Sequence, residues 1–455
     1  MRYRKDFIAY WLADKLKAKN IVVAVPSLNL IRQCLRTWAI ESTADKKKVN
    51  WIAVCSDQKV KDLNKDDFQV LVKDLGIRAH TKVNEITGWL KKKKVGKNIV
   101  FTTYDSGPNL AKASKKAKFK FDVGIFDEAH HTAGGKDSQS STLLFNKNIN
   151  ISKRVFLTAT ERRYRGSSDD IISMDDPLIY GGEPCHYLSF KKALEYNNPP
   201  ILTDYEIRAI YTPKKEILDL IRKNILVRPK TGKWNSVIEA RVLSSLSILN
   251  KTLRDIKFKH CISYHNTIDR ADAFADSQGE FTKFLKLKTI KTFHVSSRIT
   301  ISARERLIKN FENITPSLVT NSRCLSEGVD IPKVDSILFC DPRESRIDVV
   351  QAMGRALRVE KNKKKSYIMI PAMVDEEGVI DDKDFQTIVN AVSAIGSSDD
   401  QLIDWFESVC KGSKSKGGKV KFIVPKGTKV DYQKITESLQ IKIYDRLKRI
   451  TKKRL

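Results

Sequence analysis

The sequence lacks the features that mark membrane, secreted and zinc-binding proteins. No segment approaches the roughly 18 consecutive apolar residues that a membrane helix needs, and the amino terminus is charged, without the apolar stretch of a secretory signal. The seven cysteines are scattered and include no CxxC pair, so neither a zinc site nor a disulfide framework is indicated. We therefore expect an intracellular protein with no membrane segment.

Acidic residues are scarce relative to basic ones. The 455 residues include 54 Asp and Glu against 84 Lys and Arg, which gives a formal net charge of +30. The excess is concentrated in three runs, KKKK at 91–94, KNKKK at 361–365 and RLKRITKKR at 446–454. This balance indicates a polyanionic partner, although any single run can equally be a solvated face.

Short apolar runs alternate with helical patterns along most of the chain, which is typical of parallel α/β units. The predicted strands are 20–25, 51–55, 98–103, 121–126 and 154–159, and then 205–211, 260–265, 289–295, 317–320, 334–340 and 366–370. The predicted fold class is α/β, with two tandem domains built on parallel sheets and a short basic helical extension at the carboxyl terminus. The predicted domains are 1–200, 205–390 and 391–455.

The strongest local signal is FDVGIFDEAHHTAGG at 121–135, where an apolar strand leads directly into Asp127 and Glu128. Open α/β sheets bind their ligands at the carboxyl ends of the strands. There Asp127 would hold Mg²⁺, directly or through water, and Glu128 would polarise an attacking water. The alternative is an acid-rich first turn of a helix.

Further motifs follow in a fixed order. Thr158-Ala159-Thr160 closes another predicted strand, and TNSRCLSEGVDIP at 320–332 precedes QAMGRALR at 351–358. In the last of these, Arg355 and Arg358 are three residues apart, so on a short helix they share one face and can both point at a phosphate tail. An arginine finger needs this arrangement.

With these motifs in this order, over about residues 1–390, the chain resembles the superfamily-2 helicases of the DEAH-like branch, which includes restriction-enzyme motor subunits and viral or phage helicases. The resemblance implies two RecA-like domains that bind ATP between them, with ATP and Mg²⁺ as cofactors. It also implies nucleic acid as the partner, with DNA favoured over RNA. A viral or phage origin is compatible with an intracellular location.

The resemblance also implies roles for individual residues. The implied catalytic residues are Glu128, Asp127, Arg355, Arg358 and Gln351, and the implied nucleotide-binding residues are Lys5, Asp127, Gly328 and Asp330. The residues implied to couple hydrolysis to motion are Thr158 and Thr160, and those implied to bind the nucleic-acid backbone are Pro26, Ser27, Thr102, Thr103 and Thr320. Backbone contacts of this kind involve phosphates and give little sequence preference.

The phosphate-binding turn of such motors departs from the family pattern in this sequence. A glycine-rich turn that ends in GK[ST] should precede the first helix, but the residues there are MRYRKD. Lys5 falls on the lysine position and Asp6 on the hydroxyl position, while Tyr3 and Arg4 stand where glycines are needed. One explanation, favoured because the other phosphate-facing residues are retained, is an amino-terminally truncated or misassigned copy of an intact helicase. The other is a pseudo-helicase, an ATPase-deficient scaffold that binds nucleic acid.

Three further hypotheses are weighed from the sequence. The chain could be the motor half of a restriction system, with a nuclease or methyltransferase partner on another chain. His131 and His186 are not expected to hold a metal, because no third ligand follows at suitable spacing. Trp405 and Phe406 lie on an amphipathic pattern and are expected in a core rather than stacked on a base.

Overall fold

The chain forms two units, described separately below, with unit 1 extending to Tyr187 and unit 2 beginning at Leu188. Among the helices of the described residues, none combines the length and apolarity that a bilayer crossing requires. The structure, a computed structural model, describes residues 5–55, 75, 77–159, 161–164, 170–188, 190–196, 200–222, 236–284, 286, 289–296, 298–299, 301–322, 331–341, 346–375, 380, 382–396, 400–410, 419–423, 436–437, 440–445 and 448.

Unit 1 is built around a parallel sheet. Its strands are β1 (Asn20–Val25), β2 (Val49–Val54), β3 (Ala79–His80), β4 (Lys97–Thr103), β5 (Phe121–Asp127), β6 (Gly134–Gly135), β7 (Ile151–Leu157) and β8 (Ile171–Ile172). In the described part of the unit, six strands form the sheet in the order β3-β2-β4-β1-β5-β7, and β6 pairs with β8 in an antiparallel ribbon. The central strands are buried on both faces, which explains their nearly continuous apolar sequences.

One helix precedes β1, and the others follow strands of unit 1. They are α1 (Lys5–Lys15), α2 (Leu28–Ala44), α3 (Val83–Lys91), α4 (Gly107–Ala117) and the short α5 (Pro177–Tyr180). Helix α2 begins after Ser27, whose side chain accepts a hydrogen bond from the Leu30 amide and so caps the helix. Trp38 on α2 is fully buried and meets the rings of Tyr10 and Phe101 edge-on, which joins α1, α2 and β4 in one core.

Unit 2 repeats the parallel architecture with a wider sheet. Its strands are β9 (Asp204–Pro213), β10 (His260–Tyr264), β11 (Lys291–Val295), β12 (Ser317–Asn321), β13 (Ser336–Phe339), β14 (Lys365–Val374) and β15 (Val420–Ile423). Its helices are α6 (Phe190–Glu195), α7 (Lys214–Arg222), α8 (Ser236–Ile256), α9 (Ile268–Phe284), α10 (Ile301–Asn313), α11 (Arg346–Ala356), α12 (Asp382–Gly396) and α13 (Asp400–Cys410). The seven described strands run in the order β11-β12-β10-β13-β14-β9-β15.

The segment after residue 390 belongs to unit 2. Helix α12 runs across that position, and β15 adds to the sheet by parallel pairing with β9, so the segment predicted to be helical also contains a strand. Leu402 and Phe406 are fully buried in the unit 2 core and Trp405 packs against it, which confirms the expectation of a core position for the aromatic pair.

The predicted fold class is confirmed, and each of the eleven predicted strands overlaps a strand of the structure. The sequence did not predict β3, β6, β8 or β15, which are two to four residues long. A run of that length is too short to show an alternating pattern. The predicted strand 154–159 is instead β7 at Ile151–Leu157, which leaves Thr158 beyond the end of the strand.

Candidate active site

The carboxyl edge of the unit 1 sheet gathers most of the predicted site residues. Strands β4, β1, β5 and β7 are neighbours, so the residues that end or follow them lie along one edge. These residues are Thr103, Ser27, Asp127 and Thr158. Parallel α/β sheets use this edge for ligands, because side chains from strands distant in sequence converge there.

Lys5 lies against the acidic pair. Its Nζ is 2.7 Å from Glu128 Oε1 and 3.9 Å from Asp127 Oδ1. The three residues come from the first turn of α1 and from the end of β5, which are separated by more than a hundred residues in sequence. The structure therefore brings the predicted phosphate-binding lysine to the predicted catalytic carboxylates.

The charges in this cluster change one another's ionisation. Burial raises the pKa of Asp127 to about 6; Lys5 opposes this shift and Glu128 adds to it. Burial alone would lower the pKa of Lys5, but the carboxylates of Glu128 and Asp127 outweigh that effect and raise it above its ordinary value. Lys5 therefore stays charged and partly offsets the effect of burial and of the neighbouring Glu128 carboxylate on Asp127.

The backbone turns sharply at Glu128. This residue has φ 48° and ψ 48°, a left-handed conformation that is strained for a residue with a side chain, and its amide donates to Asp127 Oδ1 over 2.9 Å. The turn leads into a 3-10 helix at Ala129–Thr132, in which His130 is buried. His130 Nδ1 lies 3.1 Å from Thr158 Oγ1, so the acidic motif contacts the predicted coupling motif directly.

Two observations bear on whether this edge fits a magnesium nucleotide. The buried Oε2 of Glu128 accepts no hydrogen bond from any residue in the described part of the chain, although His130 Nδ1 is 3.4 Å away. The described residues also contain no group of three or more His, Cys, Asp or Glu side chains placed to hold a metal ion. One carboxylate plus phosphates and water is how Mg²⁺ is usually bound in such sites, so the residues fit. Burial lowers the pKa of His130 to about 4, so this imidazole is neutral at pH 7.

Tyr104 belongs to this site and was not predicted. It follows Thr102 and Thr103 at the end of β4, is buried, and its hydroxyl donates to the main-chain oxygen of Asp127 over 2.7 Å. Its ring stacks on His131. Burial raises the pKa of Tyr104 well above its ordinary value, so the hydroxyl keeps its proton and remains a donor. The position directly after the threonine pair was the only sequence signal.

Replacing Tyr104 with Phe is expected to lower the free energy of unfolding of unit 1 by about 1–2 kcal/mol, because the buried Asp127 oxygen loses its donor. Urea unfolding measures the change. The matched variant is Tyr180→Phe, whose lost hydroxyl lies 2.8 Å from that of Thr132. This control should cost less, because the Thr132 hydroxyl still donates to Ala129 O. An equal decrease in the free energy of unfolding in the two variants would contradict the claim that the buried Asp127 oxygen depends on the Tyr104 hydroxyl.

Asp6 occupies the position that a hydroxyl residue holds in the family pattern. The structure turns its carboxylate toward α2, where Oδ2 accepts hydrogen bonds from Thr37 Oγ1 over 2.6 Å and from Gln33 Nε2 over 3.4 Å. The Asp6 main-chain oxygen accepts a further bond from the Trp38 indole. Asp6 is buried and ties α1 to α2.

The residues predicted to bind a nucleic-acid backbone differ in accessibility. Ser27 and Pro26 are half-buried after β1, and Thr103 is nearly buried at the end of β4. Thr102 is fully buried and its hydroxyl donates to Thr103 O. Thr320, in unit 2, is also fully buried. Its hydroxyl lies 2.9 Å from His294 Nδ1.

In unit 2, helix α11 carries Gln351 and Arg355 but ends at Ala356, two residues before Arg358. The prediction that both arginines lie on one helix is therefore wrong for Arg358. After the helix ends, the main chain bonds to Thr203. The Thr203 amide donates to Leu357 O over 2.8 Å and its hydroxyl donates to Arg358 O over 3.2 Å. Arg355 is buried and Arg358 half-buried.

The predicted residues Thr160, Gly328 and Asp330 lie outside the described residues.

Lys363 secures the carboxyl end of α11. It belongs to the basic run 361–365, but its Nζ donates inward to Ala356 O, Val334 O and Pro332 O, over 2.7, 2.9 and 3.4 Å. Burial lowers the pKa of Lys363 to about 8. A cation at the last carbonyls of a helix is favourable, and here it also joins α11 to the loop before β13. No sequence signal separates Lys363 from its neighbours in the run.

Comparison with protein families defines the class to which this fold and site belong. Residues 5–163 match the family described as type III restriction enzyme, res subunit, and residues 244–360 match the helicase conserved C-terminal domain. The two matches fall in the two units, in the order that the motifs predicted. The chain belongs to the superfamily-2 helicases, a family of ATP-dependent enzymes.

Individual relatives agree with this assignment. The chain is 24% identical over 407 residues to "Probable helicase A859L" of African swine fever virus (isolate Pig/Kenya/KEN-50/1950), an alignment that covers 89% of this chain and 41% of that protein. It also shares a fold with the ATP-dependent Type ISP restriction-modification enzyme LlaBIII bound to DNA, with a TM-score of 0.77 at 22% identity, covering 96% of this chain and 30% of that one. For the Type ISP enzyme LlaGI the TM-score is 0.64, with coverages of 97% and 29%. The chain thus spans less than half the length of these relatives.

Proposed function

We propose that this chain is the motor part of an ATP-dependent helicase or translocase that acts on nucleic acid, with DNA favoured over RNA. The observation that supports this most directly is the contact of Lys5 with Glu128 and Asp127. A lysine and two carboxylates at the carboxyl edge of a parallel sheet are the groups that phosphoryl transfer requires. The structures of LlaBIII bound to DNA and of LlaGI in complex with a DNA substrate mimic favour DNA for this chain.

Each residue has a defined task in the proposed reaction. Asp127 would hold Mg²⁺, which supplies charge neutralisation at the transferring phosphate when it is bound. Glu128, with the free lone pairs of its buried Oε2, orients and polarises the attacking water. Lys5 exchanges its carboxylate contacts for phosphate oxygens. Arg355, Arg358 and Gln351 of unit 2 would contact the phosphate tail, as the family resemblance implies.

Movement would be coupled to this chemistry through contacts on the same edge. His130 links the acidic motif to Thr158, and Tyr104 links Asp127 to the segment that carries Thr103. Ser27 and Thr103 would hold the nucleic-acid backbone. Thr102 and Thr320, whose hydroxyls are used inside the protein, would support these contacts from within. Because the contacts reach phosphates, they would confer little sequence preference.

A second candidate function is an ATPase-deficient nucleic-acid-binding scaffold. It is favoured by the absence of glycine from MRYRKD. It is also favoured by Asp6, because this residue offers no hydroxyl for Mg²⁺ and its buried carboxylate accepts a hydrogen bond from Thr37. The two functions share nucleic-acid binding and differ in ATP hydrolysis. A nuclease or methyltransferase partner on another chain is compatible with either.

Nucleic-acid binding is expected to weaken steeply with salt. A plot of log affinity against log salt should be linear with a slope of about −4 or steeper, which corresponds to roughly four or more phosphate contacts. Fluorescence anisotropy with duplexes and single strands of several unrelated sequences measures it, and their affinities should agree within about tenfold. A salt-independent affinity, or binding confined to one short sequence, would contradict the proposal.

A further inference from the structure

The amino-terminal edge of the unit 1 sheet, opposite the candidate active site, is lined by paired lysines. Each of the neighbouring strands β2, β4, β1 and β5 is preceded by two exposed lysines, and we call these eight residues the lysine edge. In the order of the strands across the sheet, they are Lys46 and Lys48, Lys92 and Lys93, Lys17 and Lys19, and Lys118 and Lys120.

The lysine edge is not neutralised by neighbouring acids. Asp14 accepts hydrogen bonds from Lys47 and Lys97, each over 2.6 Å, and Asp45 accepts one from Lys47 over 2.8 Å, so both carboxylates pair with lysines outside the edge. The carboxylate of Asp122 accepts main-chain amides instead of an ammonium group. Within the described part of unit 1, none of the eight ammonium groups forms an ion pair with a carboxylate.

Lysine stands at backbone positions here that favour glycine. Lys17, Lys46 and Lys118 follow the ends of helices with φ of 52°, 53° and 52°. Glycine or asparagine is the usual residue at such a helix end, because a side chain strains the left-handed conformation. In the fourth loop, Gly96 takes the positive φ, and the lysines precede it. Three of the four loops therefore have a lysine at a position whose left-handed backbone conformation is usually occupied by glycine.

At the same edge of the unit 2 sheet, Lys257, with φ 50°, and Lys259 are exposed before β10 as in unit 1, but the basic residues before the next strands across the sheet are compensated. Before β14 and β15, Lys365 and Lys419 pair with the carboxylate of Asp204, and Lys363 turns inward to main-chain oxygens. Lysines near a sheet edge can therefore be paired with carboxylates or main-chain oxygens, even in a lysine-rich chain.

We propose that the lysine edge binds the sugar-phosphate backbone of a nucleic-acid duplex. Strands about 4.8 Å apart place the four pairs along roughly 14 Å, a length of duplex that carries about eight phosphate charges. The described loops of this edge present no exposed aromatic ring for stacking on single-stranded bases, and the exposed apolar side chains there, Leu16 and Val95, stand singly on different loops. The carboxyl edge lies about 20 Å away along β5, so this face is separate from the proposed motor site and needs no ATP.

Two quadruple variants test the proposal. In the edge variant, Lys19, Lys48, Lys93 and Lys120 become Gln; in the matched control, the exposed unit 2 lysines Lys214, Lys215, Lys283 and Lys309, none of which directly precedes a strand, become Gln. The edge variant is expected to bind a 30-base-pair duplex at least about tenfold more weakly at 0.1 M salt, with a salt slope shallower by about 2 to 4. The control should stay within about twofold of the parent. Equal losses would show that only net charge matters and would overturn the proposal.

A cross-linking experiment locates the contact independently of affinity. A photoreactive benzoylphenylalanine in place of Lys93 should cross-link to the duplex without ATP, and one in place of Lys215 should not. Polyglutamate that displaces the duplex at equal charge concentration, or a single strand that cross-links as well as the duplex, would overturn the assignment. Absence of ATP hydrolysis even after residues 1–6 are replaced by a turn ending in GTGKT would refute the proposed motor without affecting the cross-link at position 93, so the two proposals fail separately.

Discussion

Replacing residues 1–6 by a strand and turn that end in GTGKT, with Lys and Thr at positions 5 and 6, is expected to raise nucleic-acid-stimulated ATP hydrolysis at least about a hundredfold. The main-chain amides of such a turn would surround the phosphates, and positioning supplies most of the catalysis in phosphoryl transfer. The structure already places Lys5 beside Glu128 and Asp127, so the replacement supplies only the missing cradle and hydroxyl. A coupled assay of ADP release measures the rate.

Two controls make this result interpretable. Glu128→Gln in the altered chain should reduce the rate at least about a hundredfold, because it removes the carboxylate that we propose to polarise the attacking water. Asp6→Thr alone, in the unaltered chain, reports what losing the bond from Thr37 costs in stability. A folded altered chain that remains inactive with nucleic acid present would favour the scaffold function. Strong hydrolysis by the unaltered chain would show that MRYRKD can bind phosphates without glycines.

Replacing Asp127 with Asn is expected to stabilise unit 1 at pH 8 by about 2–3 kcal/mol, because a shift of one pKa unit corresponds to about 1.4 kcal/mol. Burial raises the pKa of Asp127 from 3.8 to about 6 in the folded protein. The folded state therefore binds the proton more tightly than the unfolded state, and the cost of the ionised carboxylate develops between about pH 4 and pH 6. The difference between variant and parent should be near zero at pH 4 and complete above pH 6.

The opposite sign is expected for Asp14→Asn, which serves as the matched control. Hydrogen bonds from Lys47 and Lys97 lower the pKa of Asp14 below its ordinary value. Its stabilising contribution is therefore present above about pH 4 and is lost only as the pH falls below the ordinary value of 3.8, so the Asn variant should be less stable than the parent by a similar amount at pH 4, 6 and 8. Urea unfolding at pH 4, 6 and 8 distinguishes the two variants. A gain for Asp127→Asn that does not depend on pH would exclude the electrostatic explanation.

The combination of strain and charge at Asp127 and Glu128 is typical of a functional site rather than of a structural one. Glu128 has a left-handed backbone conformation, and Asp127 has its pKa raised by burial. Neither the left-handed backbone of Glu128 nor the raised pKa of Asp127 stabilises the fold. Both occur at residues that the sequence motifs identified. Sites that bind phosphate and metal commonly retain such costs, which ligand binding then offsets.

The sequence by itself determined the class of fold and the carboxylates of the site. Apolar runs such as 20–25 and 121–126 indicate central strands of a parallel sheet, because strands covered on both faces are apolar at nearly every position. The acidic pair follows its strand directly, so its position at the carboxyl edge is a local consequence. For the same reason, the order of the motifs was sufficient to predict the helicase family that the domain matches confirm.

The tertiary structure alone decided which distant groups meet. The contact of Lys5 with Glu128, the bond from Tyr104 to Asp127 and the inward turn of Lys363 all depend on packing between elements far apart in the chain. The lysine edge depends on the strand order β2-β4-β1-β5, which differs from the order in the sequence. Periodicity and composition describe one segment at a time, whereas crossover connections set which segments become neighbours, so these contacts could not be derived from sequence patterns.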